Sequence, residues 1–155
     1  MSLLRGLLAP AAVIAIAMGA SAAHAAPCAP SNADPVDAIR QMYAGAMAGD
    51  RARTLAVFAS NAYLFDGGVR FTPEAITDFI LKAEAAGTKP YWAISDPERH
   101  AACDLAWATW TNHGTFTTAG VAQPKTWLES AVFVWRDGAW KVRFFQSTPV
   151  EPAAK

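Results

Sequence analysis

From residue 34 onward, apolar side chains first recur at helical spacing. Val36, Ile39, Tyr43 and Ala46 fall on one stripe. Asp34-Pro35 ahead of them supplies a cap and a first-turn proline, and Gly49 ends the element. Asp50 is placed to cap a second short helix with Leu55 and Phe58 inward. The period then drops to two: "NAYLFDGGVRF" reads as a strand, a Gly67-Gly68 turn and a returning strand. Thr72-Pro73 opens a third helix whose stripe is Ile76, Phe79, Ile80 and Ala83, closed near Gly87. Only strand patterns follow: a short "YWAIS", a long "DLAWATWTNHGTF", and the pair "TWLESAVFVWRDGAWKVRFFQSTPV". Helices first and an antiparallel sheet last is the α+β order. The expected fold is a curved antiparallel sheet wrapped around three N-terminal helices, a cone with an internal pocket.

The final strand pair carries the most information. Asp137-Gly138 is a strong two-residue turn signal and pairs Arg136 with Ala139. Counting outward sets Trp135 opposite Trp140, Phe133 opposite Val142, Ala131 opposite Phe144 and Glu129 opposite Gln146, all on one face. The other face pairs Val134 with Lys141, Val132 with Arg143 and Ser130 with Phe145, an amphipathic surface suited to a dimer contact; the same count turns Ser147 outward. The inner face is apolar near the turn and polar at its far end, where Trp127 stands beside Glu129 and Gln146. A carboxylate buried without partners costs several kcal/mol, so Glu129 must be hydrogen-bonded or reach a cavity. Gln146 is the expected partner. A frayed strand end is the competing explanation.

Composition narrows the setting. The first 25 residues combine a lone Arg5, an apolar run from Leu7 to Met18 and small residues ending Ala23-His24-Ala25, the anatomy of a secretory leader cut after Ala25. The run is shorter than the ~20 residues a membrane span needs and contains Pro10. The expected layout is a leader at 1–25, a tail at 26–32, one domain at 33–150 and a tail at 151–155, in a protein exported to the periplasm or secreted. With 13 basic and 13 acidic residues and no basic run, neither nucleic acid nor an anionic membrane is expected as a partner. The two cysteines, Cys28 and Cys103, read as a disulfide in an exported chain. A lipid-anchored Cys28 competes with this, but Ala26-Pro27 is a poor context for it. Three scattered histidines and no zinc spacing predict no metal site, and no phosphate loop, dinucleotide motif or Ser-His-Asp set predicts a cofactor or a nucleophile.

The order of elements resembles the nuclear transport factor 2-like superfamily. "AGDRARTLAVFASNAYLFDGG" is similar to its first-helix exit, second helix and next strand, "CDLAWATWTNHGTF" to its long central strand, and "WRDGAWKVRFFQSTPV" to its closing hairpin. The resemblance covers roughly Ala33 to Val150 and is nearest to the SnoaL-like group of small secreted members. It implies the cone, a mostly apolar pocket and frequent dimerisation through the outer sheet face. It does not imply one function, because members include ketosteroid isomerases, polyketide cyclases, dehydratases, binding modules and assembly domains. Asp66 stands where the isomerases carry their general base, and Tyr43 where a hydrogen-bonding tyrosine would lie, one residue short in spacing. Their protonated late-strand acid has no counterpart, since Ala131, Val132 and Phe133 occupy that stretch. The acid of the cyclases cannot be placed by motif.

These readings yield one candidate catalytic group, Asp66, for which a turn residue before Gly-Gly is the simpler role. Tyr43, Trp92, Trp110, Trp127, Glu129 and Gln146 are the candidate ligand-binding residues. Trp107 lies on the opposite face of its strand from Trp110. The expected function is binding of a small hydrophobic molecule in the cone, by a homodimer formed through the outer sheet. The alternatives are an isomerase, dehydratase or cyclase using Asp66 or Glu129, and a dimeric assembly module without ligand.

Overall fold

The computed structural model describes residues 28–30 and 32–150. The leader expected at 1–25 and the tail at 151–155 lie outside them, as do residues 26, 27 and 31 of the tail expected at 26–32. Helix α1 spans Val36–Met47, α2 Arg51–Leu55 and α3 Pro73–Ala85; the strands are β1 Phe58–Asp66, β2 Val69–Phe71, β3 Thr88–Ala102, β4 Leu105–Thr118, β5 Val121–Arg136 and β6 Ala139–Pro149.

Local chemistry accounts for the helix starts. Asp34 Oδ1 accepts the Val36 N–H at 3.0 Å, with Pro35 between them. Asp50 and Thr72 cap α2 and α3 by accepting from the Arg53 and Ala75 N–H groups. Gly49, at φ +68°, makes the left-handed exit from α1. The stripe of α1 is buried as expected, with Met42 added to Val36, Ile39, Tyr43 and Ala46. Helix α2 ends at Leu55, so Phe58 begins β1 instead of extending the helix, and Thr54 is its buried residue.

The six strands form one curved sheet in the order β2-β1-β6-β5-β4-β3. It is mixed: β1 runs parallel to β6, while the other neighbouring pairs are antiparallel. Strand β3 is much longer than "YWAIS", because it pairs along β4 from Thr88 to Ala102 with an irregularity between Ser95 and Glu98. Phe133, Val142, Leu64, Ile39 and Val36 form the fully buried centre between sheet and helices. Trp140 Nε1 donates to the Ala33 carbonyl at 3.2 Å, tying the last hairpin to the start of α1. A disulfide joins Cys28 to Cys103 and pins the N-terminal tail to the β3–β4 turn, where Ala29 N–H also donates to the Cys103 carbonyl at 3.0 Å. Among the described residues no helix is long and apolar enough to cross a membrane.

The two-residue turn is present, with Trp135 opposite Trp140 and Phe133 opposite Val142. Beyond that point the count fails by one. Val132 pairs with Phe144, leaving Arg143 as an extra residue in β6, a β-bulge. A one-residue slip exchanges faces, so Phe145 and Ser147 are buried on the inner face and Gln146 is exposed on the outer one. Strand β5 carries no such insertion, and Glu129 stays inward, opposite Ser147 rather than Gln146.

Candidate functional site

At the end of the cone away from the Asp137-Gly138 turn, sheet and helices part around a cavity of about 140 Å³. Alternation along β5 aims Trp127 and Glu129 into this end, and alternation along β4 aims Trp110 and Asn112 there. Pairing across strands sets Asp66, Ser147, Glu129 and Trp110 in one row over β1, β6, β5 and β4.

Glu129 is 6% exposed and accepts four hydrogen bonds. Its Oε2 accepts from the Tyr43 hydroxyl, from Trp110 Nε1 at 2.6 Å and from Asn112 Nδ2 at 3.0 Å; its Oε1 accepts from Ser147 Oγ at 3.0 Å. Asn112 is held in turn, since Nδ2 also donates to Tyr43 Oη at 3.0 Å and Oδ1 accepts the Ala93 N–H at 3.2 Å. Burial pushes the Glu129 carboxyl above its ordinary range, against the pull of these four donors. Burial first, then the Glu129 charge, lifts the Tyr43 hydroxyl well above its ordinary value. The single proton of Tyr43 is committed to Glu129, so this tyrosine does not offer it to a ligand.

The rest of the cavity wall is mostly apolar. Trp92 stacks on Tyr43 with centroids 5.2 Å apart, and Phe116 meets both Trp92 and Trp127 edge to face at 6.0 and 5.8 Å. Gly114 makes room for Trp127: a Cβ there would fall 2.7 Å from its ring and 2.6 Å from the Tyr91 carbonyl oxygen. Helix α3 closes the opposite side with Ile76, Thr77, Phe79, Ile80 and Ala83, Phe79 being 65% exposed at the rim.

The candidate residues separate accordingly. Tyr43, Trp92, Trp127, Glu129 and Asp66 line the cavity together. Trp110 is buried behind them and acts on Glu129 through its N–H, without lining the cavity. Gln146 takes no part, because the bulge at Arg143 turns it to the outside, where its Nε2 lies 3.4 Å from Thr148 Oγ1. Asp66 ends β1 before the Gly67-Gly68 turn; burial raises its carboxyl, and the Gly67 N–H only partly counters that. Asn112, Ser147 and Thr77 are site residues that the sequence reading misses. Asn112 is legible by counting two residues on from Trp110, Ser147 is hidden by the bulge, and nothing in the sequence marks Thr77. Among the described residues no group of three His, Cys, Asp or Glu side chains is placed to hold a metal.

No family model matches the chain, and no curated protein matches it. Solved structures do. The association domain of C. elegans CaMKII superposes with a TM-score of 0.61 at 15% identity, over 73% of this chain and 91% of that one. A ketosteroid isomerase-like protein from Erwinia carotovora atroseptica gives 0.59 at 15% identity, over 75% and 93%. Aln2 from a Streptomyces species gives 0.64 at 19% identity, over 74% and 86%. Identities this low speak for the fold alone. The chain has the nuclear transport factor 2-like fold, shared by association domains and by an isomerase-like protein, and its function has to be argued from its own cavity.

Proposed function

We propose that this protein binds a small hydrophobic molecule in the cavity between α3 and the inner sheet face. The observation that carries the proposal is an aromatic-walled hollow of about 140 Å³ whose polar end is built from a buried, ordered hydrogen-bond network. An apolar cavity of about 150 Å³ in another protein accommodates benzene, so the enclosed part here suits one ring, with room to extend past Phe79 at the rim. Glu129 is the anchor of that end rather than a free base, since four donors hold it. Titration with toluene, followed by tryptophan fluorescence and by melting temperature, tests the proposal. Saturable binding is expected, and its loss in Ala83→Phe, which fills the hollow from α3. Absence of any response to toluene and related single-ring compounds would overturn it.

A second reading rests on Asp66, which lines the same cavity and which burial raises toward general-base use. It requires a turnover that disappears in Asp66→Asn with the fold retained. Export belongs to the main proposal, because a disulfide suits an oxidising compartment. So does self-association through the outer sheet face, where Leu105, Trp107 and Leu128 are exposed. The occurrence of the fold in association domains supports it.

A further inference from the structure

Resting on the proposed binding function, we infer that the preferred occupant is a compact apolar amine, bound as its ammonium ion, and that the cavity discriminates against carboxylates of the same shape. Three features of the lining bear on this. The first is its charge. Asp66 and Glu129 both face the cavity, and no Lys, Arg or His is among the described residues that line it. The ion pairs formed by Arg40, Arg51, Arg99 and Arg136 involve Asp34, Asp37, Asp78 and Asp104, none of which lines the cavity.

The second is the supply of acceptors. Among the described residues no side chain donates to Asp66, and Glu129 Oε1 receives only Ser147 Oγ, so each carboxyl keeps lone pairs for a donor brought by a ligand. The Tyr43 and Ser147 protons are already given to Glu129. Thr77 adds a side chain 1% exposed whose hydroxyl has no hydrogen-bond partner among the described residues, on the α3 side of the same cavity. A buried hydroxyl is seldom left unpaired, and one lining a cavity is satisfied by whatever fills it.

The third is the aromatic wall. Trp92, Phe116 and Trp127 meet at near right angles, with interplanar angles of 90° and 88°, and all three line the space. Ring faces attract cations and repel anions. The two carboxyl groups and the aromatic wall favour the same ligand charge, whereas a carboxylate ligand would meet like charge with no Lys, Arg or His in the described lining to offset it; the Thr77 hydroxyl can donate or accept and serves either.

A matched series decides the matter: toluene, benzyl alcohol, benzylamine and benzoate, titrated calorimetrically at neutral pH. Benzylamine should bind about tenfold tighter than toluene, as one charge-assisted contact implies, and benzoate should bind weakest. Asp66→Asn should reduce the benzylamine-to-toluene ratio by about the same factor, with melting curves confirming that the variant folds. Where it does not fold, the wild-type ranking decides alone. Toluene or benzoate binding as tightly as benzylamine, or an unchanged ratio in the folded variant, would overturn the inference while leaving apolar binding intact. Failure of all four compounds to bind would remove the binding function itself.

Discussion

Replacing Glu129 by leucine removes the acceptor for four donors at once, and the cost follows from where each donor can go. Asn112 Nδ2 keeps Tyr43 Oη as a partner, and Ser147, beside the cavity, can turn its hydroxyl to water. Trp110 Nε1 and the Tyr43 hydroxyl lose their acceptor inside the core. Each stranded donor costs about 1–3 kcal/mol, and relief of carboxylate burial offsets part of the sum, for a net loss of about 2–4 kcal/mol. In a domain of this size that lowers the melting temperature by roughly 10 °C. Glu129→Gln is the control. Its amide oxygen can take the place of Oε2 and keep all three of those donors, while its NH₂ faces Ser147 Oγ, which can accept. That variant should cost no more than about 1 kcal/mol. Urea denaturation followed by circular dichroism measures both. Equal losses for leucine and glutamine, or a leucine loss below about 1 kcal/mol, would refute the claim that Glu129 organises a satisfied network.

Other outcomes follow from the same structure. Glu129 and Asp66 both have folded-state values raised by burial, so between the ordinary and the raised values each holds a proton the unfolded chain has already released. Their contribution is therefore most favourable at low pH and declines as pH rises from the ordinary carboxyl range through the raised values; the denaturation midpoint should show this decline, and Glu129→Gln should flatten it. Gly114→Ala should destabilise the fold by about 1–3 kcal/mol and weaken toluene binding together, because the added methyl displaces Trp127; calorimetric titration and a melting curve read the two effects. Reducing the Cys28–Cys103 bond should lower stability by about 2–4 kcal/mol in urea titrations with and without reductant, since it frees a loop spanning a sequence separation of 75.

The inward placement of Glu129 was legible because β5 is regular from Trp127 to Trp135, so period-two counting from the Asp137-Gly138 turn holds along that strand. Its partner was not legible. A bulge has no strong residue signature, and the extra residue at Arg143 exchanges Gln146 for Ser147 even though the turn lies where Asp137-Gly138 puts it. Helix starts were legible from Asp34, Asp50 and Thr72, whose capping is local chemistry. The length of β3 was not, because "DPERHAA" carries little strand propensity and is held there by pairing with β4. Tyr43 and Trp92 could each be nominated as pocket residues, but their stacking depends on how α1 crosses the sheet, which no local pattern encodes. Thr77 shows the same limit: its burial comes from what α3 packs against, whereas the helix stripe favours Phe79, which lies largely in solvent at the rim.

The central claim is that a small apolar molecule occupies the hollow beneath α3. A crystal structure of the protein soaked with iodobenzene tests it most directly, through the anomalous signal of iodine. A peak between Ile76 on α3 and the rings of Trp92 and Trp127 is the predicted result. A structure in which those side chains have closed together, with no iodine at that place at saturating ligand, would contradict it.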